Sequence, residues 1–264
     1  MSRTERPFIS LTTDFGAAYT GICAGVVARI APGAQVLVLS DEVSKYAVIE
    51  GAMLLGQALP YFPVGVHVAV VDPGVGTARR PVVVRTGRGD MLVGPDNGLL
   101  APVAERLGGA AEVRVLANEE FRLGASSTFH GRDVFAPAAA HLANGVELAA
   151  FGPVVELTGL ALPTPVIGAG ELMASVLYPD DFGSLVLSAR PEDLEAALGE
   201  VPPGTEVEIA GIRVRYEVTF GAVALGEPLL FPDSSGWLAL GINQGSAVGR
   251  FGLGVGGTVT IRSV

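Results

Sequence analysis

The sequence predicts two domains: an α/β N-terminal domain with a mostly parallel central sheet flanked by helices, and a smaller C-terminal antiparallel β-barrel or sandwich. Three observations carry this expectation. Through the first part of the chain, short β-branched runs alternate with stretches of helical apolar spacing, the pattern of strands joined by helical crossovers. Further on, helical spacing nearly disappears and short strands dominate. Between the two lies Leu162-Pro163-Thr164-Pro165-Val166, whose prolines read as a linker. The expected domains are 1–163 and 168–264.

Residues 8–13 read as a first strand, ending at Asp14-Phe15-Gly16. Helical spacing over 19–31 stops at Pro32-Gly33, and 35–39 reads as a second strand. A helix over 47–59 is closed by Pro60. Residues 67–71 are apolar, β-branched and few, as in a strand buried on both faces. That run breaks at Asp72-Pro73-Gly74 and passes through a glycine-rich loop to Arg79 and Arg80. Residues 81–86 and 91–93 suggest a hairpin around Gly87-Arg88-Gly89-Asp90. Pro95-Asp96-Asn97-Gly98 is a turn feeding a helix over 99–107. A strand over 112–116, a polar loop over 118–133 and a helix over 134–143 complete the first domain. In the second, strands are expected over 172–177, 184–187, 206–218 with a bend at Ala210-Gly211, 228–231, 237–242 and 258–261. One helix is expected over 191–198, and 249–257 reads as turns.

Composition narrows the function. Hydrophobic residues are 49% of the 264 and charged residues 17%, so a large buried area, including a subunit interface, is expected. The mean hydropathy of +0.48 raises the membrane question. No apolar run reaches the ~18 residues of a spanning helix. A net charge of −10, with Lys45 the only lysine, argues against nucleic acid and anionic membranes as partners. The single cysteine, Cys23, excludes an internal disulfide and a cysteine metal cluster. Residues 1–7 are polar and lack an apolar signal region, so the cytoplasm is the expected location.

Three polar clusters stand out. Asp14 follows the first strand, Asp72 with Arg79 follows the central one, and His130-Gly131-Arg132-Asp133 precedes a helix. Parallel strands would bring Asp14 and Asp72 to one edge of the sheet, where open α/β folds bind ligands. A carboxylate, an imidazole and a guanidinium together can hold and activate a water molecule. The plainer alternatives are a turn-capping Asp72, a surface His130 and a local Arg132–Asp133 ion pair. A metal site from Asp14, Asp72, His130 and Asp133 is disfavoured by the adjacent arginine and by the lack of two-histidine spacing.

Four ordered segments then matter together: Thr12-Thr13-Asp14-Phe15-Gly16, Val71-Asp72-Pro73-Gly74-Val75-Gly76-Thr77, Pro95-Asp96-Asn97-Gly98-Leu99-Leu100 and Thr128-Phe129-His130-Gly131-Arg132-Asp133. With Asp180-Asp181-Phe182-Gly183, Asp233-Ser234-Ser235-Gly236 and Asn243-Gln244-Gly245, they resemble the S-adenosyl-L-methionine hydroxide adenosyltransferases, relatives of the fluorinases and chlorinases. The resemblance implies cleavage of S-adenosyl-L-methionine to adenosine and L-methionine without metal or other cofactor. It implies Asp72, Arg79 and His130 as the water-activating trio, a pair of acid and imidazole that halide-using relatives lack. It implies Asp14 on the ribose hydroxyls, Tyr46 near ribose and sulfonium, Asp180 on the methionine ammonium, Ser234 and Ser235 on its carboxylate, and Phe182 on the adenine. It also implies a homotrimer with sites between subunits.

Two departures bear on specificity. Ala17-Ala18 leads directly to Tyr19 where relatives carry a second aspartate, and Ser184 stands where the family has an asparagine that reads the adenine edge. They motivate one rival, the same fold acting on another adenosyl or nucleoside compound; a non-catalytic nucleoside-binding sensor is a second. A metal phosphohydrolase is a third.

Overall fold

The computed structural model describes residues 6–124 and 126–264. The chain divides into two compact units, Met1–Ala161 and Leu162–Val264.

The first unit is built on a six-stranded sheet in the order β2-β1-β3-β5-β4-β6. The strands are β1 (Phe8–Thr13), β2 (Gln35–Ser40), β3 (Val66–Val70), β4 (Pro81–Thr86), β5 (Met91–Pro95) and β6 (Ala110–Val115). β2, β1, β3 and β5 run parallel, while β4 is antiparallel to both its neighbours. The central run Val-His-Val-Ala-Val of β3 is buried at every position, as a strand covered on both faces must be. Helices α1 (Gly16–Ile30) and α4 (Ala136–Ala143) pack together over the face carrying Ile9, Leu11, Val68 and Val93. Helices α2 (Val48–Ala58) and α3 (Ala101–Arg106) form a second packed pair.

Beneath the sheet surface lies a Ser–His–Asp series that has the look of a hydrolytic triad. Ser10 Oγ lies 2.8 Å from His67 Nδ1, and His67 Nε2 donates to Asp90 Oδ1 at 3.1 Å. All three residues have zero solvent exposure. Thr86 and both Arg88 nitrogens Nε and Nη2 also donate to the Asp90 carboxylate. No substrate reaches this group, so its role is to tie β1, β3 and the β4–β5 hairpin together.

The second unit is a closed barrel. Its strands are β7 (Val166–Gly168), β8 (Glu171–Pro179), β9 (Leu185–Leu187), β10 (Glu206–Ile209), β11 (Ile212–Tyr216), β12 (Pro228–Pro232), β13 (Leu238–Ile242) and β14 (Thr258–Ser263). The order is β14-β10-β11-β12-β13-β9-β8-β7, and pairing of β14 with β8 closes the ring. Alternate apolar residues, among them Leu172, Leu187, Val207, Leu240 and Ile261, fill the interior. Helix α5 (Pro191–Leu198) contributes Leu194 and Ala197 to that core. No helix of the described residues is long and apolar enough to cross a membrane.

Several element expectations needed correction. The first helix starts at Gly16 rather than 19. The single bent strand over 206–218 is two strands, because Ala210 and Gly211 both take positive φ and close a two-residue hairpin. The barrel is not wholly antiparallel: β11 and β12 run parallel. Part of the linker segment pairs as β7, and the glycine-rich tail holds a short helix, α6 (Ala247–Phe251), capped by Ser246 Oγ.

Candidate active site

The end of β3 sets the site. Asn97 donates from Nδ2 to the Val71 carbonyl at 2.9 Å and accepts from the Leu99 amide at 3.2 Å, which holds the chain leaving the strand. Asp72 follows. Its carbonyl accepts from the Val75 amide at 3.3 Å, and the Gly74 carbonyl accepts from the Thr77 amide and hydroxyl. These turns bring Arg79 back over Asp72. Gly76 sits at φ +77°, and a Cβ there would lie 2.5 Å from the Ser127 carbonyl oxygen. Only glycine lets this loop lie against the 126–128 segment.

Arg79 joins the two other groups. Its Nε donates to Asp72 Oδ1 at 3.1 Å, and its Nη2 donates to Asp72 Oδ2. The same Nη2 lies 3.0 Å from His130 Nδ1. The Arg79 and Asp72 side chains are 7% and 5% exposed, and the guanidinium rests 5.4 Å from the centre of the Phe135 ring. Arg80 is held separately: it donates to Asp96, whose other oxygen accepts from the Thr158 amide at 2.8 Å.

A guanidinium only donates, so His130 Nδ1 accepts and its proton sits on Nε2. Burial, followed by the Arg79 charge, pushes the His130 imidazole below its ordinary value, against the opposing pull of Asp72. Geometry and electrostatics therefore agree on a neutral imidazole. His130 is presented by a single π-turn, Gly131–Phe135, that runs into α4. Such turns recur where a helix must aim a functional side chain. Gly131 permits it, since a Cβ would come within 3.1–3.3 Å of Phe15, Phe129 and Cys23.

Asp72 and His130 line a cavity of about 150 Å³ together with Asp14, Phe15, Tyr46 and Phe129. A second cavity of about 500 Å³ shares Asp14, Phe15, Tyr46, Thr128 and Phe129 and adds Tyr19, Lys45 and Arg132. Asp14 is 7% exposed and accepts the Tyr46 amide at 2.8 Å, while Lys45 Nζ donates to the Asp14 carbonyl. Tyr46 takes φ +66°, an uncommon conformation for a bulky residue, and its ring is exposed beside the cavity. Phe129 meets Phe15 and Tyr19 edge-on at 5.8 and 5.4 Å, forming an aromatic wall. The two joined cavities offer acid, aromatic face and cation to one ligand. No cluster of three or more His, Cys, Asp or Glu among the described residues is arranged to hold a metal.

The structure thus brings Asp14, Tyr46, Asp72, Arg79 and His130 together within the first unit. The second-unit residues form two separate groups. Asp180 Oδ1 accepts from the Phe182 and Ser184 amides at 3.0 and 2.7 Å, shaping a turn that throws Phe182 outward at 81% exposure. Ser184 itself is buried. Ser234 and Ser235 lie in another turn, where Asp233 Oδ1 accepts from the Ser235 and Trp237 amides. That turn precedes β13, whereas the Asp180–Ser184 turn is bonded to Ala247 beyond the other end of β13. The two groups sit at opposite ends of one strand. Asn97, Asp96, Arg80 and Gly76 position the site without being singled out as site residues from the sequence; the Pro95–Gly98 turn motif was the available signal.

Comparison with known proteins follows the same lines. A family model described as "SAM hydroxide adenosyltransferase N-terminal domain" matches residues 9–152, and its C-terminal counterpart matches 174–260. The chain is 46% identical over 255 residues to a protein of Salinispora tropica named (R)-S-adenosyl-L-methionine hydrolase, covering 94% of each. It is 40% identical to a protein of the same name from Thermus thermophilus, and 26% identical to a protein of Actinoplanes sp. named fluorinase. A crystal structure of an uncharacterized conserved protein from Thermotoga maritima superposes with a TM-score of 0.83 at 33% identity, covering 96% of this chain and 99% of that one.

Proposed function

The chain belongs to the SAM hydroxide adenosyltransferase family, and we propose that it hydrolyses S-adenosyl-L-methionine to adenosine and L-methionine by in-line attack of water on the ribose 5′-carbon. The observation that carries this is the shared guanidinium: Arg79 bonds both Asp72 and His130 beside a cavity lined by Asp14. In the reaction a C5′–O bond forms and the C5′–S bond breaks. The bonding pair leaves on sulfur, which becomes the neutral thioether of methionine, so no acid is needed there. One water proton must be removed. With His130 Nδ1 engaged by Arg79, the remaining lone pairs of the Asp72 carboxylate receive it, and the His130 Nε2 proton orients the water oxygen. Arg79 keeps both groups in place, and positioning of the nucleophile supplies several of the ~7–11 kcal/mol available from orientation.

Asp14 takes the ribose hydroxyls and Tyr46 the sugar face. Phe182 and Ser184 take the adenine end and Ser234 and Ser235 the methionine carboxylate; Asp180, expected on the ammonium of that same methionine, shapes the Phe182–Ser184 turn at the other end of β13 and belongs with the adenine end instead. Their separation along β13 suits a long ligand touched at two places. No metal or other cofactor takes part. We place the reaction in the cytoplasm, in a homotrimer with sites at subunit interfaces. Apolar side chains left exposed on the edge strand β2, Leu37 and Val38, and on α1, Ile22, favour association. Sedimentation equilibrium giving a monomer at working concentration would remove the trimer.

Incubation with S-adenosyl-L-methionine in ¹⁸O-water tests the reaction. The label is expected on the 5′-oxygen of adenosine, with a drop in kcat of ~10²–10⁴ in Asp72→Asn. Unlabelled adenosine, or turnover unaffected by that change, would refute it. Binding without turnover would indicate a sensor.

A further inference from the structure

A third cavity, of about 310 Å³, borders Arg79 and His130 but is not lined by Asp14, Tyr46 or Asp72. Its walls include Arg122, Ser126 and Ser127. Two guanidinium nitrogens of its lining residues, Arg79 Nη1 and Arg122 Nε, are buried with no hydrogen-bond partner among the described residues. The Arg79 charge is met by Asp72. Arg122 spends Nη2 on the Leu116 carbonyl at 2.6 Å, and no carboxylate pairs with it among the described residues. Two charged donors left unmet beside a polar cavity are costly unless an acceptor joins them.

We propose that this cavity binds a small oxyanion, held between Arg79 Nη1 and Arg122 Nε with the Ser126 and Ser127 hydroxyls as further donors. An oxyanion suits the site better than a halide. The donors come from two guanidinium groups and two hydroxyls, and lone pairs on several oxygens answer them at once. The bound charge lies beside His130. Burial does most to lower that imidazole; among the charged groups acting on it, Arg79 and Arg122 lower it further, while Asp72 and Asp133 raise it. An anion between the two arginines screens both, so the site tunes the imidazole of the proposed catalytic cluster from behind.

Thermal melts in sodium phosphate, sodium acetate and sodium chloride at matched ionic strength test this. A saturable rise in Tm with phosphate or acetate and not chloride is expected. Phosphate alone identifies an inorganic oxyanion; acetate alone identifies a small carboxylate. The rise disappears in Arg122→Gln and persists in Arg132→Gln, whose guanidinium lines the larger cavity instead. A rise that never saturates, that chloride matches, or that survives Arg122→Gln overturns the inference. Arg122 also supports the Leu116 carbonyl, so a second readout uses the unaltered protein. The ring signal of His130 in NMR shifts saturably with the active oxyanion, and its titration midpoint rises. An unmoved signal overturns the inference equally. Neither readout requires turnover, so failure here and failure of the proposed hydrolysis are distinguishable.

Discussion

Replacing Asp90 by alanine asks whether the buried Ser10–His67–Asp90 series is a structural tie. The carboxylate accepts from His67 Nε2 at 3.1 Å, Thr86 Oγ1 at 3.2 Å, Arg88 Nε at 2.7 Å and Arg88 Nη2 at 2.9 Å. The alanine variant strands these donors unequally. Arg88 is 26% exposed at its side chain and also bonds the Leu59 and Pro60 carbonyls, so water and backbone compensate it. His67 has no exposure and Thr86 only 2%, so neither gains a new partner from solvent. Breaking a buried pair costs ~3–5 kcal/mol, and the partial compensation of Arg88 places this case near ~3 kcal/mol. For a unit of this size each kcal/mol moves Tm by ~2–4 °C, so the first-unit transition falls by about 6–12 °C. Differential scanning calorimetry reads it, with kcat measured well below the transition. A Tm change under about 2 °C would refute the assignment, as would loss of kcat in a fully folded sample. The pH dependence has a defined sign. Burial alone would raise the Asp90 carboxyl, but hydrogen bonds from His67 and Arg88 outweigh it and hold the group well below the usual carboxylate range. A depressed folded value contributes stability above the unfolded value of ~3.9 that is lost as pH falls below it. The wild type therefore shows a steeper acid loss of stability than Asp90→Asn.

Three further outcomes are expected. His130 titrates below its ordinary ~6.5, so the acid limb of activity lies under that pH, and Arg79→Gln moves the NMR midpoint up; a wild-type midpoint at or above ~6.5 contradicts the neutral tautomer. By the same sign, the lowered His130 imidazole makes stability rise with pH between its folded and unfolded values, read as Tm against pH. Gly76→Ala meets the Ser127 carbonyl and a positive φ together, costs ~1–3 kcal/mol and lowers kcat through displacement of Arg79; an unchanged melt and rate would show that the loop is free to move. Burial pushes the Cys23 thiol up to about 12, so iodoacetamide at pH 8 labels it only after denaturation, read by intact mass.

The sheet was legible in the sequence because its strands are short, β-branched and bounded by turn residues. The long apolar run at β3 and the closing Asp72-Pro73-Gly74 marked the site edge directly. His130 stood out as part of a polar cluster, but only the ordered segments tied it to Asp72 and Arg79, since a polar loop has no periodicity to place it. The π-turn that aims it leaves no apolar signature distinct from the helix it enters. Ala210 and Gly211 looked like a bend because nothing in a run of alternating residues shows that both adopt positive φ. The barrel's parallel β11–β12 pair is a long-range choice invisible to local pattern. The separation of Asp180 from Ser234 follows from strand register, which a motif spacing does not contain.

The last strand of the second unit is a stave that two others need. β14 lies between β10 and β8, and without it β10 and β8 each face an open seam. A growing chain on the ribosome can thus complete the first unit early, whereas the barrel has to wait for the synthesis of residues 258–263. Until then its unpaired edges are the surfaces most exposed to wrong partners, and a nonsense codon only a few positions early would leave the ring unclosed.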